Sequence, residues 1–159
     1  MLIAKSKSLT SVFMAVAVLG GGALWSYATP EADEKPKPDK ELILGTWIPI
    51  SGEQNGAELA EEKLKGGKLI FTDEKVTLHV LDARPREGTY TIDPDKTPKE
   101  IDILDGSGKV NEQTKLGIYE LDGETYKFCL APASKPRPTE FTSKPGSGHS
   151  LGLSRREKP

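Results

Sequence analysis

The chain has 159 residues, with 22 lysines and arginines against 24 aspartates and glutamates, and a formal net charge of −2. This length allows one domain of ordinary size around a single apolar core. A mildly acidic composition argues against nucleic-acid binding, which depends on clustered basic residues, and it is typical of a monomer. The single cysteine, Cys129, excludes a disulfide within the chain, so burial and hydrogen bonds must stabilise the fold.

Residues 1–28 have the pattern of an export signal. Lys5 and Lys7 give a positive start, an apolar run covers residues 12–25, and small residues precede a cleavage position after Ala28. We therefore predict an exported protein, periplasmic or extracellular. The apolar run, about 14 residues, is short for a spanning helix, which needs about 20. An uncleaved signal that anchors the chain in the inner membrane stays as the alternative.

Residues 29–40 read TPEADEKPKPDK, with alternating charges, three prolines and no large apolar side chain. Such a segment buries too little apolar surface to offset the entropy lost on ordering. The composition predicts a disordered linker over residues 29–40, followed by a folded domain over residues 41–159.

The domain shows short runs of alternating apolar residues, separated by turn signals such as Asp122-Gly123. The pattern predicts eight strands, over residues 44–50, 68–72, 75–81, 87–93, 100–104, 115–121, 124–130 and 150–156. Pro49 cannot donate to a ladder, so it indicates an edge, a bulge or a strand end. Residues 57–65 form the one helix-like stretch, in which Leu59 and Leu64 would touch the strands.

Eight strands with short connections predict an all-β fold, an antiparallel barrel, with a sandwich as the alternative. A barrel of this size is either filled by side chains or hollow enough for one small ligand. The alternation along the strands gives the candidate lining of such a cavity: Leu69, Phe71, Val80, Tyr90, Ile92, Ile101, Ile103, Tyr126 and Phe128.

Gly45-Thr46-Trp47 on the first strand resembles the Gly-x-Trp signature of lipocalins. The resemblance implies that Trp47 closes one end of the barrel against an arginine from the end of the last strand. Arg155 and Arg156 lie there, and alternation with the apolar residues of that strand favours Arg155. A guanidinium over an indole contributes roughly 0.5–2 kcal/mol. A simple core tryptophan is the alternative interpretation.

A closer resemblance extends over residues 42–156. The blocks LGTW, SGEQNG, EGTYTID, KTPKEIDI, LGIYELDGETYKFCLA, KPRPTEF and SKPGSG are similar to a family of small exported planctomycete domains of uncharacterised function. This resemblance implies a lipocalin-like β-barrel. It carries no catalytic or ligand-binding residues to this chain.

Motifs with catalytic or metal chemistry are weak. Residues 148–152, GHSLG, match the G-x-S-x-G elbow of hydrolases, but that elbow needs a following helix and a later histidine. Only seven residues follow Gly152, and none is a histidine. His79 and His149 are far apart and have no further metal ligands spaced near them. Cys129, in mid-strand, resembles a small buried hydrophobic residue. We predict no catalytic, cofactor or metal site, and no enzyme.

Two functions stay open. The first is a binding module that holds a small apolar or amphiphilic molecule in the barrel. The second is a structural or protein-interaction module with a filled barrel and no ligand. In both we expect a monomer without nucleic-acid partners, which contacts a membrane only through an uncleaved signal. The proline-rich stretch 135–138 is expected to strap across the barrel mouth.

Overall fold

The computed structural model describes residues 37–106 and 114–158. Within these two ranges, two short helices and nine strands follow one another. They are α1 (Asp39–Leu42), β1 (Gly45–Gln54), β2 (Ala57–Glu58), α2 (Glu61–Leu64), β3 (Lys68–Phe71), β4 (Lys75–His79), β5 (Arg86–Asp93), β6 (Lys99–Asp105), β7 (Thr114–Leu121), β8 (Thr125–Leu130) and β9 (Ser150–Arg156).

Eight of these strands form a closed antiparallel barrel. Strands β3 to β9 pair in sequence order, β1 pairs with β3 on one side, and β1 also pairs with β9 on the other. The two-residue strand β2 extends the sheet beside β1. The predicted all-β barrel is therefore confirmed, and each of the eight predicted strands is present. The predicted helix after the first strand is also present but shorter, because Ala57–Glu58 pairs with β1 instead.

A bulge interrupts β1 at its proline. Pro49 pairs with Ser154, and the next pair joins Ser51 to Leu153, so Ile50 has no partner on β9. The side chain of Ile50 is correspondingly 49% exposed. Because proline cannot donate to the ladder, the extra residue lets the pairing resume beyond it. Of the alternatives that the sequence left open at Pro49, the bulge is the correct one.

The folded part begins earlier than predicted. Asp39 and Lys40, assigned to the linker, belong to α1. The Asp39 carboxylate accepts a hydrogen bond from the Tyr119 hydroxyl at 2.7 Å and forms an ion pair with Lys99 at 2.8 Å. Composition alone cannot reveal these partners, since both lie on distant strands. The predicted signal, residues 1–28, and the linker up to residue 36 lie outside the described residues.

No helix in the described part of the chain has the length and apolar character needed to cross a membrane.

The proline-rich crossing between β8 and β9 covers the outside of the barrel wall, so its predicted place across the mouth is wrong. Arg137 forms ion pairs with Glu100 at 3.3 Å and Asp102 at 2.7 Å, the latter by charge contact without an aligned hydrogen bond. Its Nη1 also donates to the Gly117 carbonyl oxygen at 2.6 Å. Both carboxylates alternate along β6 with the inward-facing Ile101, so the arginine lies on the outer face.

Candidate functional site

Aromatic side chains fill the half of the barrel near Gly45 and Arg156, where β1 begins and β9 ends. We call this half the lower half. Trp47 is fully buried, and its indole Nε1 donates to the Ile43 carbonyl oxygen at 2.8 Å, which joins the indole to the end of α1. The ring centroids of Trp47 and Tyr126 are 5.7 Å apart, and those of Phe71 and Tyr126 are 5.4 Å apart. These side chains form a closed floor. Trp47 is the third residue of β1 and pairs with Arg156 on β9, near the end of the barrel where β1 begins.

Arg156 is the cation that completes the floor. Its guanidinium carbon lies 4.3 Å from the centroid of the Trp47 ring. The same group donates to the carbonyl oxygens of Gly123 at 2.6 Å, Leu44 at 2.8 Å and Leu42. One side chain thereby joins the α1–β1 connection to the turn between β7 and β8, beneath the tryptophan.

The predicted partner of Trp47, Arg155, is wrong by one residue. Arg155 is exposed, and the buried Gly152 and Ser154 show that even-numbered positions of β9 face inward. The prediction took Leu151 and Leu153 as inward because they are apolar. They pair instead with outward positions of β8, where the crossing segment covers the outer face of the barrel near Cys129.

Above the floor, the upper half of the barrel encloses a cavity of about 450 Å³ that is open at the mouth. The mouth lies where β1 ends and β9 begins, opposite Trp47 and Arg156. Small-molecule sites usually measure about 300–1,000 Å³, so this volume suits one small ligand. Its apolar lining includes Leu59, Leu64, Leu69, Val76, Leu78, Val80, Ile103, Phe128 and Leu130.

The nine side chains predicted to line the cavity divide between its wall and the floor. Four of them line it: Leu69, Val80, Ile103 and Phe128. The other five belong to the filled lower half or pack against it: Phe71, Tyr90, Ile92, Ile101 and Tyr126. Strand alternation identifies which face points inward, but it carries no information on height within the barrel.

Two inward-facing glycines and the segment around α2 shape the upper half of the barrel. A Cβ atom on Gly152 would lie 2.5 Å from the Phe128 ring, and one on Gly52 would lie 3.0 Å from the Leu59 side chain. These inward positions without side chains leave room for neighbouring groups and for the cavity. Leu59 and Leu64 reach it from the segment around α2, as their spacing suggested.

Polar groups gather at the mouth. Arg86 on β5, Lys115 on β7 and Asp105 on β6 all line the opening. Arg86 was missed because the predicted strand began at residue 87, although its alternation with Gly88 indicates that it faces inward.

Ser150, the serine of the G-x-S-x-G match, begins the antiparallel strand β9, and its hydroxyl donates to Gln54 Oε1 at 2.6 Å.

Burial raises the pKa values of three titratable side chains in the core, Cys129, Tyr119 and Tyr126. It raises the pKa of the Cys129 thiol, whose Sγ lies 3.3 Å from the Thr142 carbonyl oxygen, so the thiol stays protonated near neutral pH. Burial likewise raises the pKa values of Tyr119 and Tyr126 far above their usual range, and Asp39 reinforces the effect at Tyr119. None of these groups is poised for acid–base or nucleophilic chemistry near pH 7.

Within residues 37–106 and 114–158, no three His, Cys, Asp or Glu side chains are grouped closely enough to hold a metal ion. Comparisons of the chain with protein-family models, with curated proteins and with solved structures find no match. The geometry of the barrel is therefore the basis for a functional conclusion.

Proposed function

We propose that this domain binds a small apolar or amphiphilic molecule in the upper half of its barrel. The single observation that carries the proposal is the cavity of about 450 Å³ above a sealed floor. This volume corresponds to about 15 water molecules at roughly 30 Å³ each. Burying an alkyl chain there would contribute about 0.8 kcal/mol per methylene group.

The division of the barrel into two halves favours a binding module over the filled structural module. The aromatic floor supplies a packed core, with Trp47 and Tyr126 almost fully inaccessible. Stability therefore does not require the upper half to be filled. A hollow above such a core is expected of a ligand site, since packed interiors leave few voids larger than a water molecule.

Export and membership in the resembling planctomycete family stay predictions from the sequence. If the signal is cleaved as predicted, the domain would carry its ligand outside the cytoplasm.

The test is binding of a neutral dye, N-phenylnaphthylamine, whose fluorescence rises in apolar surroundings. We expect saturable binding at one site per chain. Leu78→Trp places a large ring in the cavity and should abolish binding, whereas Thr77→Trp, on the outer face of the same strand, should leave the dye Kd within about two-fold. The urea midpoint of each variant establishes that it is folded.

Equal binding by both folded variants, or no binding by the wild-type protein, would contradict the proposal. A native mass spectrum of protein purified from its source provides an independent measurement, since a retained lipid-sized adduct would support it.

A further inference from the structure

Two cations on barrel strands face the cavity mouth without a partner among the described residues. Arg86 shares the inward face of β5 with Gly88, and Lys115 shares the inward face of β7 with Gly117. Both side chains line the cavity. In residues 37–106 and 114–158, neither the guanidinium nor the ammonium group makes a hydrogen bond or ion pair.

The acidic residues around the cavity are already engaged or point elsewhere. Glu87 forms an ion pair with Lys75 at 2.6 Å on the outer face. Glu53 lies between the inward-facing positions 52 and 54, so its side chain points outward. Asp105 lies at the mouth and has an interaction of its own. Arg86 and Lys115 are therefore available to an incoming ligand.

Apolar walls below and cations above define an amphiphilic site. We infer that the ligand is a single-chain amphiphile with an anionic head group, whose chain enters the cavity while Arg86 and Lys115 hold the head at the mouth. This inference rests on the proposed function. Arg86 supplies a planar fork of donors that suits a carboxylate, and Lys115 supplies a second positive charge. Lys63 of α2, also at the cavity, adds to the positive potential.

The first experiment compares head groups on one chain length. Dodecanoate, dodecanol and dodecyltrimethylammonium each compete with the neutral dye N-phenylnaphthylamine. We expect dodecanoate to bind at least about ten-fold more tightly than dodecanol, which corresponds to one charge-assisted contact, and the cation to bind most weakly. Raising the salt concentration should weaken dodecanoate binding and leave dodecanol binding unchanged, because the mouth is open to solvent.

The second experiment removes the charges. The double variant Arg86→Gln/Lys115→Gln should lose most of the preference for dodecanoate over dodecanol. The matched control, Arg84→Gln/Lys96→Gln, removes the same net charge from two exposed positions that do not line the cavity, and should keep the preference.

The outcomes separate the two proposals. If acid and alcohol bind equally to the wild-type protein, the anionic head group is wrong while cavity binding stands. If both double variants keep the preference, Arg86 and Lys115 do not hold the head group, and the inference is overturned at that point. If the dye binds but neither dodecanoate nor dodecanol displaces it, the single-chain amphiphile is wrong. If the dye itself does not bind to the wild-type protein, the proposed function fails. If the double variant does not fold, the comparison of dodecanoate with dodecanol on the wild-type protein still tests the inference.

Discussion

The guanidinium of Arg156 holds several parts of the chain together at the closed end. It stacks on Trp47 and donates to three carbonyl oxygens, those of Leu42, Leu44 and Gly123. We predict that Arg156→Met lowers the free energy of unfolding by about 2–4 kcal/mol, because the stacking is lost and partly buried carbonyl groups lose their donors. Urea denaturation followed by tryptophan fluorescence measures the change.

Arg155→Met is the matched control. Arg155 is exposed on the neighbouring position of β9, so its loss should change the free energy of unfolding by no more than about 0.5 kcal/mol. Equal losses in the two variants would show that the stacked arginine does not stabilise the floor.

This one-residue difference also shows where sequence reasoning reached its limit. Alternation assigns an inward face when only one face of a strand is buried. On β8 and β9 the crossing segment covers part of the outer face, and Cys129 is buried there as fully as Tyr126 is inside. Because apolar residues occur on both faces of this part of the barrel wall, the alternation of apolar and polar residues no longer identifies the inward face. The sequence alone therefore cannot decide whether Arg155 or Arg156 points inward.

At the scale of elements, Asp39 joins the helix α1 to strands β6 and β7 of the barrel. Its carboxylate is only 12% exposed and contacts Tyr119 and Lys99. We predict that Asp39→Ala lowers the free energy of unfolding by about 1–3 kcal/mol, because the buried Tyr119 hydroxyl loses its acceptor. Chemical denaturation of the purified variant gives the value.

Glu41→Ala is the matched control for Asp39→Ala, because Glu41 is an exposed acid on the same helix. Its loss should be close to neutral. A destabilisation as large as that of Asp39→Ala would mean that helix charge, and not the two contacts, matters.

The strands were predictable because each one shows an alternation of apolar and polar residues within its own few residues. The inward set Tyr126, Phe128 and Leu130 follows from period-two alternation. The missing N–H of Pro49 predicts an irregular position in the ladder, and the structure shows which of the three alternatives it is. The helix α1 was not predictable, since four residues with three charges carry no apolar periodicity. Its place in the fold depends on partners about 60 and 80 residues away.

At the scale of the whole molecule, the buried tyrosines predict alkaline unfolding. Below about pH 10 both the folded and the unfolded states keep their phenolic protons. Above it, the unfolded state loses protons that the folded state retains, because burial raises the pKa values of Tyr119 and Tyr126. The free energy of unfolding therefore falls as pH rises, by up to about 1.4 kcal/mol per pH unit for Tyr126.

Phenolate absorbance and tryptophan fluorescence, recorded together during an alkaline titration, measure this effect. Both phenols should ionise only as the fluorescence reports unfolding, and Tyr126→Phe should show a shallower fall of stability above pH 10. Full ionisation with native fluorescence would contradict the burial of these side chains.

The division of the barrel into floor and cavity was beyond the sequence. Phe71 and Leu69 share one face of one strand, yet the first belongs to the floor and the second lines the cavity. Which of the two applies depends on strand tilt, on α1 below and on the segment around α2 above. These are properties of the assembled barrel and of no single segment.

The pairing of β1 with β9 brings both ends of the folded chain to the same place. Gly45 and Arg156 lie at the floor, where the Glu157 amide donates to the Thr46 carbonyl oxygen at 2.8 Å. A tether placed at residue 45 or at residue 156 would therefore start on the side of the barrel away from the opening. Protein immobilised through either of these two positions should present its entrance to the solution.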